Sequence, residues 1–366
     1  ATLRRQRQMC IRDRNKPSAL GFLHLRHTTF ITLERWLIER ILPEYQLPQK
    51  VGFRKCTVIG AGVVGLSCGI RLLESGYVTR IVSRDVSPDT VSDIAAAWWY
   101  PFLAEPVEKT TRWSIETYQE LLRLKHEFQL GFITMRKGVE YLVEPSPPPK
   151  WSDGISHFRI LNIDEVVEGY KSGWEIEAPV IEMAHYLPWL MERFLMLGGD
   201  VQEGFISSLS EVEGELVVNC TGLGARELCD DEEVVPVRGQ IIYIEQDPGF
   251  GRFDQRPENL IYTIPRRDVT VLGGTAQRGD WHGGVRESDT VEILKKCSVL
   301  WPELDRSKIV GKAVGLRPSR SEVRLEVDRS DGRMVIHNYG HGGAGVTLSW
   351  GCADEVVALV SRMNQQ

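Results

Sequence analysis

Cys56-Thr57-Val58-Ile59-Gly60-Ala61-Gly62-Val63-Val64-Gly65 joins three signals in one run. Thr57–Ile59 is a β-branched stretch suited to a buried parallel strand. Gly60, Gly62 and Gly65 follow as G-x-G-x-x-G. Val63, Val64, Leu66, Ile70, Leu72 and Leu73 then recur at helical spacing until Gly76 stops the helix. Strand, glycine turn and helix in this order are the fingerprint of a dinucleotide site. Gly60 permits the tight turn, Gly62 lets the backbone approach a pyrophosphate, and Gly65 lets helix and strand pack closely. The pyrophosphate, next to Ala61, would meet the N–H groups and positive dipole of the helix start. The glycines alone also fit a structural turn; the flanking strand and helix favour the dinucleotide.

A second strand, Thr79–Ser83, ends in Arg84-Asp85. Asp85 lies twenty residues past Gly65, where a carboxylate binds a ribose hydroxyl. Arg84 keeps NADP open, since an arginine there accommodates a 2′-phosphate. FAD and NAD(P) share this fingerprint, so the choice rests on residues farther along.

With 366 residues the chain is long enough for two domains. Its 42% hydrophobic and 26% charged content is that of a globular protein. A net charge of −6 supplies no basic footprint, so no nucleic-acid partner is expected. Seven scattered cysteines without a C-x-x-C pair suit free thiols in a reducing compartment, here the cytoplasm. No apolar run reads as long enough to span a bilayer, so no membrane is expected. Residues 1–50 are basic, with Arg4, Arg5, Arg7, Arg12, Arg14 and Lys16 against Asp13. They fit a targeting segment less well than a disordered or non-native leader, and carry no assigned function. Phe30, Leu33, Leu37 and Ile41 could form an amphipathic helix there.

Helices are expected over Trp113–Phe128, Val291–Trp301 and Val346–Met363, and another near Met183–Leu197 that starts around Pro188. Pro145-Ser146-Pro147-Pro148-Pro149 reads as an extended surface spacer. Leu216–Cys220 is a strand, and Thr221-Gly222-Leu223-Gly224 after it is either a cofactor-facing turn or a plain one. Val237–Glu245, Leu260–Pro265 and Val269–Gly274 read as strands. Ala313–Pro318 leads into a hairpin made of Val323–Val327 and Met334–His337. The expected fold is α/β, a Rossmann-like dinucleotide domain (51–97, 177–235 and 319–366) with an interleaved β-rich α+β substrate domain (98–176 and 236–318).

The C-terminal loop selects the cofactor. Gly342, Gly343 and Gly345 precede the last helix, far in sequence from the first glycine turn. An NAD(P) site has little use for a second helix N-terminus. A flavin does, because its reduced ring carries negative charge that a helix dipole stabilises. FAD is therefore the expected cofactor. Arg317, in Gly315-Leu316-Arg317-Pro318 between a strand and a turn, could hold a carboxylate through two charge-assisted bonds. Tyr262 could add a phenolic bond. His337 and His341 read as structural or flavin-adjacent, and no cluster has metal-ligand spacing.

These residues resemble the D-amino acid oxidase family, which includes D-aspartate oxidase. The colinear matches are Val58–Ser67, Ser92-Asp93-Ile94-Ala95-Ala96, Val218–Gly222, Val237-Arg238-Gly239-Gln240, Leu272-Gly273-Gly274, Gly315–Pro318 and Ile336–Gly343. Residues 1–50 have no counterpart. The resemblance implies an FAD-dependent oxidative deamination of D-amino acids, with dioxygen as the other substrate. The products are a 2-oxo acid, ammonia and hydrogen peroxide. It implies direct hydride transfer to the flavin with no obligatory side-chain base. Arg317 matches the arginine that binds the substrate carboxylate, Tyr262 the tyrosine beside it, and Gly343 the carbonyl that accepts from the amine. Gly342, Gly345, Val346 and Thr347 match the loop around the flavin ring. Ser92, Ala96, Ala97, Trp98, Ile206, Thr221, Arg84 and Asp85 match further FAD contacts, and Arg84-Asp85 resembles microbial members. A homodimer is left open.

This sequence departs from the family in three places. A second tyrosine often stands where this chain has Glu258. The segment between Gln240 and Tyr262 is too short for a long lid. D-aspartate oxidases carry an arginine where Gly273-Gly274-Thr275-Ala276-Gln277 has Ala276, with Arg278 only nearby. With Trp98–Phe102 as an apolar wall, neutral D-amino acids are expected over acidic ones. A glycine- or sarcosine-type amine oxidase and a non-catalytic flavoprotein are the remaining rivals. The chain ends Asn364-Gln365-Gln366, not in a peroxisomal tripeptide.

Overall fold

The computed structural model describes residues 55–329 and 334–363. The basic leader and the helix expected around Phe30–Ile41 lie outside them. The strands, in chain order, are β1 (Lys55–Ile59), β2 (Val78–Ser83), β3 (Ile133–Leu142), β4 (Phe158–Ile160), β5 (Ser172–Ile181), β6 (Asp200–Glu203) and β7 (Leu216–Asn219). They continue as β8 (Val235–Ile244), β9 (Gly251–Asp254), β10 (Ile261–Pro265), β11 (Thr270–Gly273), β12 (Gln277–Arg278), β13 (Ile309–Asp328) and β14 (Met334–His341). The longer helices are α1 (Val63–Glu74), α2 (Val107–Glu127), α3 (Met183–Met196), α4 (Glu287–Leu300) and α5 (Gly345–Met363).

All strands belong to one sheet, ordered β4-β5-β3-β9-β10-β11-β8-β13-β14-β7-β1-β2-β6, with β12 beside β8. From β14 to β6 every pairing is parallel. Cys56, Val58, Ile81, Val217, Val218 and Ile336 are buried along these strands, as a sheet covered on both faces requires. α1 packs on α3 and α5, and α2 on α5. The other half is mostly antiparallel and carries α4 against β8, β10 and β11.

β13 joins the halves. Its first part pairs with β8 and its second with β14, and Ser319 pairs with both Val235 and His341. This corrects the expected break at Pro318: Arg317 lies within a continuous strand, not between a strand and a turn. The chain passes Pro318 because it faces Pro236 across the ladder, so neither needs the N–H that proline lacks.

Three helix expectations are also corrected. α3 runs unbroken through Pro188, because Met183, Tyr186, Leu187 and Leu190 are fully buried on both sides of it. That packing outweighs the roughly 3 kcal/mol that an interior proline costs. α2 starts at Val107, where the Glu105 carboxylate accepts from the Val107 N–H at 2.9 Å. Its polar first turn hides the start from a hydrophobic pattern. α4 begins at Glu287 because Asp289 and Thr290 point inward to Arg238 and Gln240. Residues Gly342–Met363 are, contrary to expectation, long and apolar enough to cross a membrane. Here Leu348, Trp350, Cys352, Ala353 and Val356 of that stretch are fully buried in the core.

Gly60 adopts φ +105°, open to glycine and costly for other residues. A Cβ at Gly65 would overlap the Gly60 carbonyl, so strand and helix meet only because Gly65 has no side chain. We expect Gly65→Ala to lower unfolding free energy by about 1–3 kcal/mol, as overpacking does. Chemical denaturation measures this, and a variant as stable as its parent would contradict it.

Candidate active site

A cavity of about 1080 Å³ runs along the carboxyl ends of the parallel strands and across the β13 seam. Every site residue expected from the sequence lines it. The β1–α1 turn contributes Gly60, Ala61, Gly62, Val63, Val64 and Gly65. Arg84, Asp85 and Ser92 follow β2, Ile206 follows β6, and Thr221 follows β7. Ala96, Ala97 and Trp98 come from the aromatic segment, Tyr262 from β10 and Arg317 from β13. Gly342, Gly343, Gly345, Val346 and Thr347 come from the turn into α5.

Two serines hold the first turn. Ser83 Oγ accepts from Ala61 N at 3.0 Å and donates to the Asp85 carbonyl at 2.6 Å. Ser92 Oγ accepts from Val63 N at 3.1 Å. A Cβ at Gly62 would lie 3.1 Å from that oxygen. Arg84 and Asp85 ion-pair with each other at 2.7 Å at the edge of the cavity. Thr221 is set by Asn219 Oδ1, which accepts from Thr221 Oγ1 at 2.8 Å and Thr221 N at 3.2 Å. Ser83 and Asn219 escaped sequence reading, because each matters through a backbone group brought near by the turn.

Three buried polar atoms on cavity-lining residues have no hydrogen-bond partner: Trp98 Nε1, Asn338 Oδ1 and His341 Nε2. Asn338 Nδ2 donates to Cys68 Sγ at 3.2 Å, which leaves the amide oxygen over. Burial pushes the His341 imidazole down to about 4, so it is neutral at pH 7. An unpaired buried polar atom costs about 1–3 kcal/mol, which a ligand with its own donors and acceptors recovers.

Arg317 stands at the β13 seam. Nη1 donates to the Thr275 carbonyl at 2.9 Å, and Nη2 lies 3.5 Å from Tyr262 Oη. Among the described residues no carboxylate ion-pairs with it. Arg238, one ladder position away, is by contrast fully buried against Asp289 at 2.5 Å. The Tyr262 ring is fixed by Gly273 and Gly274, where a Cβ would overlap it. Burial raises the Tyr262 phenol, against the lowering effect of Arg317, so it stays a neutral donor. Trp98, Tyr100, Phe102 and Phe253 also line the cavity, with the Trp98 and Phe253 rings 4.9 Å apart.

Residues 55–359 match the model of a family described as FAD dependent oxidoreductase. The chain belongs to this family. It is 41% identical to a D-amino-acid oxidase of Rubrobacter xylanophilus over 312 residues, covering 83% of this chain and 95% of that one. A D-amino-acid oxidase of Dictyostelium discoideum is 40% identical over 316 residues, with 83% and 91% covered. Human D-aspartate oxidase is 35% identical over 324 residues, with 84% and 94% covered. The fold is also that of a solved glycine oxidase from Bacillus cereus, with a TM-score of 0.70 at 17% identity and 86% and 96% coverage.

As an FAD-dependent oxidoreductase, the chain needs a cradle for a dinucleotide and a flavin ring. The residues present fit that group. The glycine turn leaves no side chain at Gly60, Gly62 or Gly65, and a Cβ at Gly60 would sit 2.5 Å from the Cys220 carbonyl. The unpaired atoms of Asn338 and His341, on the strand that leads into the second glycine turn, supply hydrogen-bonding capacity there, and Trp98 Nε1 adds a further donor among the lining residues.

Gly239 is the floor under Arg317, since a Cβ there would overlap the guanidinium. We expect Gly239→Ala to raise KM for an anionic substrate about tenfold or more, the worth of one charge-assisted bond. Bound FAD, read from the visible spectrum, should be retained. An unchanged KM would contradict this placement of Arg317.

Proposed function

We propose that the chain oxidatively deaminates neutral D-amino acids. A D-amino acid, dioxygen and water give a 2-oxo acid, ammonia and hydrogen peroxide. The observation that carries this reading is the Arg317 guanidinium, which lines the cavity and ion-pairs with no carboxylate among the described residues. A monoanionic α-carboxylate is the group it would pair with in two parallel bonds.

Arg317 then holds the α-carboxylate, and Tyr262 donates its phenolic hydrogen to the same group. The Gly343 carbonyl accepts from the amine, next to a Phe102 ring that lies 3.3 Å from a Cβ built at Gly343. The carboxylate and the amine fix two substituents of Cα and the apolar wall takes the side chain as the third, so D-isomers react and L-isomers do not. FAD supplies the two-electron acceptor. The protein's contribution is orientation and exclusion of water by Trp98, Phe102 and Phe253. His341 is not placed as a base. Its imidazole is neutral but buried, and its pushed-down value of about 4 makes it a poor proton acceptor.

Support for neutral side chains comes from the lining. Ile241, Phe253, Leu260 and Ile264 are apolar, and Gln255 offers only an uncharged amide. Arg256 is spent on Asp254 at 2.6 Å, and Arg278 is not among the lining residues. Besides Arg317, the lining cations are Arg84, paired with Asp85, and Arg226, which donates to the Glu232 and Val234 carbonyls, so neither is presented to a second carboxylate beside Arg317. The acidic alternative keeps one point in its favour, the 35% identity to human D-aspartate oxidase. Free thiols at Cys56, Cys68, Cys297 and Cys352 support a cytoplasmic setting.

Peroxide release from purified yellow protein, on neutral and acidic D-amino acids, their L-isomers, glycine and sarcosine, tests this reading. We expect kcat/KM for D-alanine, D-valine or D-methionine to exceed that for D-aspartate at least about tenfold, the worth of one unpaired buried charge contact. Arg317→Ala should remove turnover while FAD stays bound. Comparable rates on L-isomers, or D-aspartate as the best substrate, would refute it.

A further inference from the structure

In Trp98-Trp99-Tyr100-Pro101-Phe102, side chains alternate. Trp98, Tyr100 and Phe102 line the cavity, while Trp99 is fully buried and its Nε1 donates to the Ser114 carbonyl at 2.9 Å. Tyr100 is gripped in three ways. Its backbone N donates to Thr347 Oγ1 at 3.2 Å, and that hydroxyl donates to the Tyr100 carbonyl at 3.1 Å. Its ring meets Trp151 edge-on, 5.1 Å between centroids. Its phenol donates to Glu140 Oε2 at 2.6 Å.

Glu140 lies on β3, opposite Trp174 of β5 and Phe253 of β9. It is buried, and Trp174 Nε1 donates to the same Oε2 at 2.9 Å. Among the described residues no cation ion-pairs with it. A carboxylate whose only partners are two neutral donors is an expensive way to fill a core. Both donors belong to aromatic rings, and one of those rings is the cavity wall.

We propose that Glu140 is a positioning residue for the reaction, acting through Tyr100 on the cavity wall and on Thr347. This rests on the oxidase reading above. Bonds to a charged oxygen are shorter and about twice as strong as neutral ones. Tyr100 is therefore held more firmly when Glu140 is ionised than when it is protonated. Burial pushes this carboxyl up to about 7, with Tyr100 and Trp174 pulling it down and Asp254 pushing it farther up. The titratable groups facing it are Tyr100, whose phenol burial keeps neutral, and Asp254 of β9, itself paired with Arg256. Lys137 of β3 and Glu175 of β5 pair with each other on the opposite face, with His157 and Arg159.

The test is the pH profile of kcat/KM for D-alanine on yellow holoenzyme. Wild type should show a rising limb centred near 7, severalfold in height and separate from deprotonation of the substrate amine. Glu140→Gln and Tyr100→Phe should both lack it, with KM raised more than kcat is lowered and FAD retained. Thermal unfolding supplies a readout independent of turnover. The folded carboxyl lies above its usual 4.5, so its proton stabilises the fold at low pH and that contribution is lost as pH rises through 7. Wild-type Tm should therefore fall relative to Glu140→Gln across that window. A Glu140→Gln profile that keeps the limb, or parallel Tm curves with normal turnover, would overturn the role of Glu140. Absence of peroxide with every D-amino acid would overturn the oxidase reading instead.

Discussion

The active site depends on a positive charge that pairs with no carboxylate among the described residues. The Arg317 guanidinium is held by the Thr275 carbonyl, bounded by Gly239 and approached by Tyr262 Oη. None of these groups is anionic. A partly buried guanidinium is costly unless something meets its charge. The surroundings fix its direction and withhold its counter-ion. In the function we propose, the α-carboxylate of a substrate is both the missing charge and the handle by which Cα is placed.

The sheet explains why this charge sits beside the cofactor cradle. β13 runs from the antiparallel half into the parallel half, and Arg317 lies two residues before Ser319, which pairs with both. β14, the next strand, delivers Asn338, His341 and the Gly342–Gly345 turn to the same cavity. One continuous strand therefore places Arg317 next to the Gly342–Gly345 turn, where a Cβ at Gly343 would lie 3.5 Å from the Arg317 side chain. Facing them, the aromatic segment 98–102 is tied to α5 through Thr347 and to β3 through Glu140. The cavity is thus braced from both halves of the sheet.

Much of this was legible because the signals are local. The spacing of Gly60, Gly62 and Gly65 needs only a strand before it and a helix after it, and both are short-range patterns. Arg317 and the Gly342–Gly345 turn were likewise legible as motifs. The rest depends on contacts between residues distant in sequence. Ser83 matters because its hydroxyl reaches a backbone N–H group of the first glycine turn. Pro188 looks like a helix start until the buried residues on either side of it are known. Pro318 looks like a strand end until Pro236 is seen across from it. Glu140 resembles any strand glutamate in sequence, and only the 2.6 Å bond from Tyr100 gives it a place near the chemistry.

The central claim is that Arg317 recognises a carboxylate, so the most direct measurement removes the carboxylate and leaves the rest. D-Alanine and D-alaninamide differ at that group alone. If the guanidinium pairs with the α-carboxylate, kcat/KM from peroxide release should fall about 100-fold or more for the amide, from loss of two charge-assisted bonds. The Arg317→Ala variant should discriminate little between the two. Equal kcat/KM for D-alanine and D-alaninamide in the wild-type protein would contradict the account.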